Sequence, residues 1–293
     1  VFLTRTGNLF PVADLLNRIA ELEASNRERN HDYIGDLFLD GEDKKVKWKP
    51  NAKLTPIYDF PVRGSDSITG CVIIYEMPYE NSEGQIPYGM YIAGTDPYDH
   101  DESTTSSLGS TIILNKLTNR IVAEYTGRPE TANQYYENVR RLLKFFNAKC
   151  LYENERKGLF QYLEHKRETY LLADQPEIIK DVVQNTRVAR QKGMHMSKPL
   201  KSYGEELIKM WLLEAYEEQG LLNLHKIRSI GLLKELISYN NYGNFDRVMA
   251  FMMVMYHLEE VKKIKVEKEN KVQTIYDQSF WNKSLFSRKK KVF

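Results

Sequence analysis

The stretch Tyr88-Gly89-Met90-Tyr91-Ile92-Ala93-Gly94-Thr95-Asp96-Pro97 decides how this chain is read. Its apolar run from Met90 to Ala93 reads as a strand, and the strand ends on a carboxylate. Pro97 follows at once; it has no main-chain N–H to give and stops the pairing there. A second run, Ala148-Lys149-Cys150-Leu151-Tyr152-Glu153, delivers a glutamate in the same way. A third acid, Asp246, opens the long apolar segment 245–258. Two strand-end acids and one helix-start acid, far apart in the chain, are what a fold uses to gather oxygen ligands. No His or Cys spacing suggests zinc, so the acids point to a hard divalent cation, Mg²⁺ or Mn²⁺.

Composition narrows the surroundings of such a site. The chain has 293 residues, 42% hydrophobic and 28% charged, which fits an ordinary globular protein. A net charge of +2 means that any nucleic-acid surface is local rather than global. Cys71 and Cys150 are too few for a disulfide framework and are expected as free thiols in a reducing compartment. No apolar stretch reaches the ~20 residues that span a bilayer, and no signal segment opens the chain, so no membrane partner is expected. The chain opens on Val1, as expected for a piece of a longer protein.

Taken in order, 10–23 carries Leu15, Leu16, Ile19 and Leu22 at helical spacing. Prolines interrupt 36–62, where one hairpin is expected around Asp40-Gly41, and 1–69 is read as a linker or covering subdomain. From residue 70 the pattern sharpens. A strand at 71–76 precedes the Asp96 strand, and a polar loop follows with Asp99 and Asp101. Strands at 109–114 and 120–125 form a hairpin. A helix over 131–146 has Tyr135, Val139, Leu142, Leu143 and Phe146 on one face. The Glu153 strand, a helix over 157–166 and a short strand at 170–172 complete the core. The first three core strands form an antiparallel meander, and the later ones arrive by helical crossovers, which favours parallel pairing. Helices follow at 201–220 and 232–239 before the Asp246 helix. A charged extension, 263–293, ends the chain.

This order of strands and helices, with acids at these places, resembles a ribonuclease H-like fold: an α/β mixed sheet flanked by helices. Three strings sharpen the resemblance. Leu151-Tyr152-Glu153-Asn154-Glu155-Arg156-Lys157-Gly158 resembles the E-x-N-x-x-G element in the nuclease domain of tailed-phage terminase large subunits. Gly94-Thr95-Asp96-Pro97 looks like that domain's first strand-to-loop junction. The stretch from Tyr242 to Ala250 is similar to its D-D-x-V-x-A helix start. The match runs over 70–260, and 70–262 is read as the nuclease domain. Glu155 stands where Asn is usual, and Phe245 where the first of two aspartates often lies, which leaves Asp246 as the third ligand. The resemblance implies a metal-dependent endonuclease that cuts concatemeric viral DNA during packaging in the cytoplasm of the infected bacterial host. Asp96, Glu153 and Asp246 would bind two Mg²⁺ or Mn²⁺ ions. Duplex DNA, an upstream ATPase motor, a small terminase subunit and a portal would be its partners.

Each acid also has a plainer reading. Asp246 could simply offset a helix dipole, and Asp96 before a proline could be a turn residue. Their agreement with one topology outweighs the separate readings. Asp99, Asp101 and Asp174 are spare acids near the expected site. Arg156, Lys157, Arg140 and Arg141 are the expected DNA contacts, giving affinity to phosphates without reading sequence. A junction resolvase, an RNA-cleaving relative or a non-catalytic docking module are the alternatives. No G-x-x-x-x-G-K-[ST] loop occurs in the chain, so it is expected not to hydrolyse ATP. Phosphate release that survives several purification columns would contradict that expectation.

Overall fold

The apolar runs at 71–74, 91–96, 109–115, 120–127 and 149–152 become strands of one sheet with buried side chains on both faces. The computed structural model describes residues 8–28, 33–41, 45–64, 66–98, 107–155, 157–183, 191–216, 220–240 and 242–265. Its strands are β1 (Tyr33–Leu39), β2 (Val46–Pro50), β3 (Cys71–Ile74), β4 (Tyr91–Asp96), β5 (Gly109–Asn115), β6 (Arg120–Gly127) and β7 (Lys149–Tyr152). They lie side by side in the order β2-β1-β3-β6-β5-β4-β7. Pairing is antiparallel throughout except between β4 and β7, which run parallel.

The period of two along the strands sorts the core into two layers. Ile73, Ile92, Ile112, Leu114 and Leu151 face one layer with the helices α1 (Val12–Glu28), α5 (Lys198–Leu213) and α6 (Ile230–Ser238). A last helix, α7, helical from 246 to 265, packs in the same layer. Ile74, Ala93, Ile113 and Cys150 face the other, against α2 (Ala132–Phe145) and α3 (Gly158–His165). The face expected for α2 is fully buried, and Thr131 with Gln134 closes a capping box at its start. A short helix α4 (Ile179–Val182) lies before α5.

The meander β4-β5-β6, the α2 crossover and the parallel β7 beside β4 make this a ribonuclease H-like mixed sheet. Three details differ from the sequence reading. The strand expected at 170–172 is a 3-10 turn, Thr169–Leu171, followed by one parallel bridge from Leu172 to Cys150. Local bonds from Leu171 N to Glu168 O and from Leu172 N to Thr169 O use donors that a ladder would need. The 71–76 strand pairs with β6, and the antiparallel side of the sheet is wider than a three-strand meander. Within 1–69, β1 and β2 form the hairpin near Asp40 and extend the same sheet, while α1 packs on α6. These residues share the core with the rest of the chain. The extension 263–293 falls almost wholly outside the described residues.

Gly94 sets the distance between α7 and the sheet. A Cβ there would lie 2.3 Å from the Ala250 carbonyl oxygen and 2.4 Å from the Val254 nitrogen. Without one, the helix backbone rests directly on β4, and Met253 packs beside it. That close crossing brings the start of α7 to the end of β4.

A carboxylate cavity as candidate active site

The parallel register of β4 and β7 pairs Thr95 with Tyr152, so Asp96 and Glu153 follow side by side at adjacent strand ends. The strand end is stiffly held: the Thr95 hydroxyl donates to Ser110 O at 2.7 Å and shares bonds with the hydroxyls of Thr111 and Tyr135. Glu153 is anchored by its own N–H, which donates to Thr95 O at 3.2 Å, and by a parallel bridge to Met194. Its carboxyl shares a hydrogen bond with Asp96.

Asp246 enters from the first turn of α7. It is 6% exposed and accepts bonds from Leu108 N at 3.0 Å, Ser107 Oγ at 3.1 Å and Asn244 Nδ2 at 3.3 Å. Behind it the next side chain points the other way, into the protein. Arg247, 1% exposed, lies between Glu235 (Nη1 to Oε1, 3.1 Å) and Glu124 (Nε to Oε1, 3.7 Å). Glu235 Oε2 also accepts the main-chain N–H of Arg247 at 2.9 Å and of Val248 at 3.3 Å. A buried carboxylate thus caps the first turn of α7 and fixes its rotation. Gly231 makes the room: a Cβ there would stand 2.4 Å from the Arg247 guanidinium carbon.

Asp96, Glu153 and Asp246 line one cavity of about 270 Å³. Glu155, Lys201, Ser107 and Asn244 line it too. Among the described residues no three His, Cys, Asp or Glu side chains form a ready-made metal cluster. The reasons are visible in the bonds above: Asp246 is drawn to 107–108 and Asn244, while Asp96 and Glu153 hold each other. The donor set nevertheless fits a hard cation, since every acid offers oxygen. Burial pushes the Glu153 carboxyl up to about 7; Glu155 adds to the rise, and Lys201 and the hydrogen bonds from Asp96 and Met196 oppose it. Burial likewise pushes Asp246 up to about 6, against its bonds to Leu108 and Ser107 and the Arg247 charge. Burial disfavours the ionised form of both carboxyls, and a divalent cation that neutralised them would compete with protons there.

A pH dependence follows. Glu153 holds its proton more tightly in the folded chain than its ordinary value of 4.5 allows in the unfolded one. The folded state therefore binds more protons, and stability falls as pH rises from the ordinary carboxylate range through about 7. In chelator, the melting temperature should drop between pH 5 and pH 8, and Glu153→Gln should show a shallower drop. Parallel profiles for the two proteins would remove Glu153 as the source.

The other expected residues are dispersed. Arg140 is buried and paired with Glu168 at 2.5 Å and Glu137 at 3.0 Å. Arg141 is paired with Glu137 at 2.8 Å and donates to Leu37 O at 2.9 Å. Both guanidiniums thus bind α2 to its neighbours and do not line the cavity. Lys157 is exposed at the start of α3. Asp174 pairs with Lys192 at 2.8 Å and lies along a different cavity. Arg156, Asp99 and Asp101 lie outside the described residues. Sequence reasoning missed Lys201 and noted Glu155 only as a departure. Glu155 is two positions from Glu153, which was a usable signal; Lys201 offered none.

No protein-family model and no curated protein matches the sequence. Among solved structures, the chain is similar to the large terminase nuclease from the thermophilic phage G20c. The magnesium-bound crystal structure of that nuclease matches with a TM-score of 0.42 and 13% identity, over 69% of this chain and 90% of that one. Its zinc-bound form gives 0.38 and 15%, over 68% and 90%. A third crystal structure of the same nuclease gives 0.34 and 14%, over the same shares. Among the described residues no helix is long and apolar enough to cross a membrane.

Proposed function

We propose that this chain is a metal-dependent endonuclease that hydrolyses DNA phosphodiester bonds and cuts concatemeric viral genomes during packaging. The observation that carries this reading is the meeting of Asp96, Glu153 and Asp246, from two adjacent strand ends and a remote helix start, in one cavity. These three carboxylates would hold Mg²⁺ or Mn²⁺, with Glu155 beside them. When bound, a pair of such ions supplies an activated water and neutralises charge on the leaving oxygen. The chain's own part is placement. The Thr95 hydrogen bonds hold the end of β4, and the buried Arg247 pairs hold the start of α7. Lys201 brings a positive charge to the same wall, where it favours entry of a backbone phosphate among acids that would otherwise repel it. Lys157 and Arg156, just past Glu153, are proposed phosphate contacts that carry no sequence information. The setting rests on the sequence resemblance: duplex DNA as substrate, an ATPase motor, a small terminase subunit and a portal as partners, and the host cytoplasm as the place.

The test is plasmid cleavage by the purified chain. Supercoiled DNA should be nicked or linearised with Mg²⁺ or Mn²⁺, with little sequence preference, and remain intact in chelator. Equal cutting with and without chelator would sink the metal-dependent reading. Faster cutting of four-way junctions than of plain duplex would favour a resolvase.

A further inference from the structure

The turn that carries the chain from α6 into α7 leaves one ring standing in water. Tyr242 is 99% exposed, whereas the next most exposed tyrosine among the described residues, Tyr88, is 78% exposed. The main chain around it is held from both ends. Asn240 Oδ1 accepts the N–H groups of Tyr242 at 2.9 Å and Gly243 at 3.0 Å, and Asn240 Nδ2 donates to Ser238 O at 3.1 Å. Past the turn, Asn244 Nδ2 donates to Asp246. A Cβ on Gly243 would lie 2.5 Å from the Phe245 ring, so the turn rests on that ring. Phe245 packs in turn against Phe60 and Tyr239, with ring centres 5.1 Å apart in both pairs, and Tyr239 against Phe10 at 5.4 Å. An aromatic floor thus fixes the main chain beneath a side chain that stays in solvent. Its place is beside the acids. Gly243, one peptide or about 3.8 Å away between Cα atoms, lines the carboxylate cavity. Tyr239 lines that cavity and also another of about 570 Å³, whose wall includes Tyr242, Asn240, Glu205 and Lys209. A lone exposed ring is ordinary on a protein surface. One held at the tip of a fixed turn, next to the acids, is placed to touch whatever reaches them.

We propose that Tyr242 is a stacking platform for an unpaired base of the DNA strand whose phosphate enters the carboxylate cavity. The proposal rests on the nuclease reading and adds to it a preference for locally opened DNA. Every base has a flat face that a tyrosine ring can cover, so stacking adds affinity without reading sequence. In a paired duplex those faces are covered by neighbouring pairs, and a base must leave the stack before a side chain can reach one. The cavity beside Tyr242 falls within the roughly 300–1,000 Å³ usual for small-molecule sites, which leaves room for the base and sugar of one nucleotide. Because the turn is already fixed, little main-chain freedom is lost when the base arrives.

The experiment compares the parent chain with Tyr242→Ala, Tyr242→Phe and Tyr88→Ala, the last removing an exposed tyrosine from the far end of β4. Binding is measured by anisotropy in chelator, with single-stranded DNA, with a duplex holding an unpaired stretch and with a fully paired duplex. Tyr242→Ala should weaken binding to the first two by about 5-fold or more, while Tyr242→Phe and Tyr88→Ala stay within about twofold of the parent. All four proteins should bind the paired duplex alike. A 2-aminopurine in the unpaired stretch should be quenched by the parent and by Tyr242→Phe, and less by Tyr242→Ala, since stacking quenches its emission. Tyr242→Ala that matches the parent in affinity and in quenching would overturn the proposal. So would an equal loss on the paired duplex, which would make Tyr242 a backbone or groove contact. Neither result touches the nuclease reading, which the plasmid assay judges separately. A parent chain that binds none of the three DNAs and leaves plasmid uncut would end both.

Discussion

Arg247→Met should cost the fold about 3–5 kcal/mol, the usual loss when one partner of a buried ion pair is removed. Arg247 is the counter-charge for Glu124 and Glu235, which are 1% and 2% exposed. Without it both carboxylates face burial alone. The loss should grow with pH. Burial already pushes Glu235 up to about 7, against the pull of Arg247, and removing the guanidinium raises it further. A carboxyl whose folded value lies above its unfolded one gives stability that is present at low pH and lost as pH rises through the folded value. The variant can take up a proton at pH 5 and must bury charge at pH 8, so the gap from the parent should widen between those two values. Glu124→Leu with Glu235→Gln and Arg247→Met together should recover most of the loss, because an amide still accepts the N–H groups at the start of α7. Urea unfolding at both pH values checks this. A single variant within 1 kcal/mol of the parent throughout would show that these charges are solvated in solution.

Asp96→Asn and Asp246→Asn should each lower metal-dependent DNA cleavage by about 10³-fold or more, since removing an anionic ligand forfeits several kcal/mol of transition-state stabilisation. The fold should survive both changes. Asp96→Asn removes one of two adjacent carboxyls at the strand ends, so in chelator it should melt at or above the parent temperature. Asp246→Asn keeps one acceptor oxygen for the Leu108 N–H but sets an NH₂ against Ser107 or Asn244, and a small drop is expected. Divalent metal should raise the parent melting temperature and raise that of each variant less, because it binds the folded state. Variants that are clearly destabilised in EDTA yet gain as much from metal as the parent would mark these acids as structural hydrogen-bond acceptors.

The parts of the site legible in the sequence are those fixed by local chemistry. Asp96 and Glu153 each end an uninterrupted apolar run, and parallel pairing of two such runs brings their ends together whatever else the chain does. Asp246 opens the one long apolar helix, and Gly94 is what lets that helix lie close enough for all three acids to share a cavity. What could not be read depends on partners distant in sequence. Arg140 and Lys144 look like a basic helix face until Glu168, from a later segment, is seen to pair with both. The edge strand β2 and its neighbour β1 are only partly buried, so their apolar pattern is broken, by Gly35 and Asp36 in β1 and by Lys47, Lys49 and Pro50 in β2, and reads as a linker. Residues 170–172 have the composition of a strand, but the preceding turn uses the donors first.

Anomalous scattering from crystals soaked in Mn²⁺ measures the central point directly, because it locates the ion without relying on activity. The nuclease reading predicts anomalous density within coordination distance of Asp96, Glu153 and Asp246, and its loss in Asp246→Asn crystals soaked in the same way. Strong density at other carboxylates, with none in this cavity at saturating Mn²⁺, would contradict it.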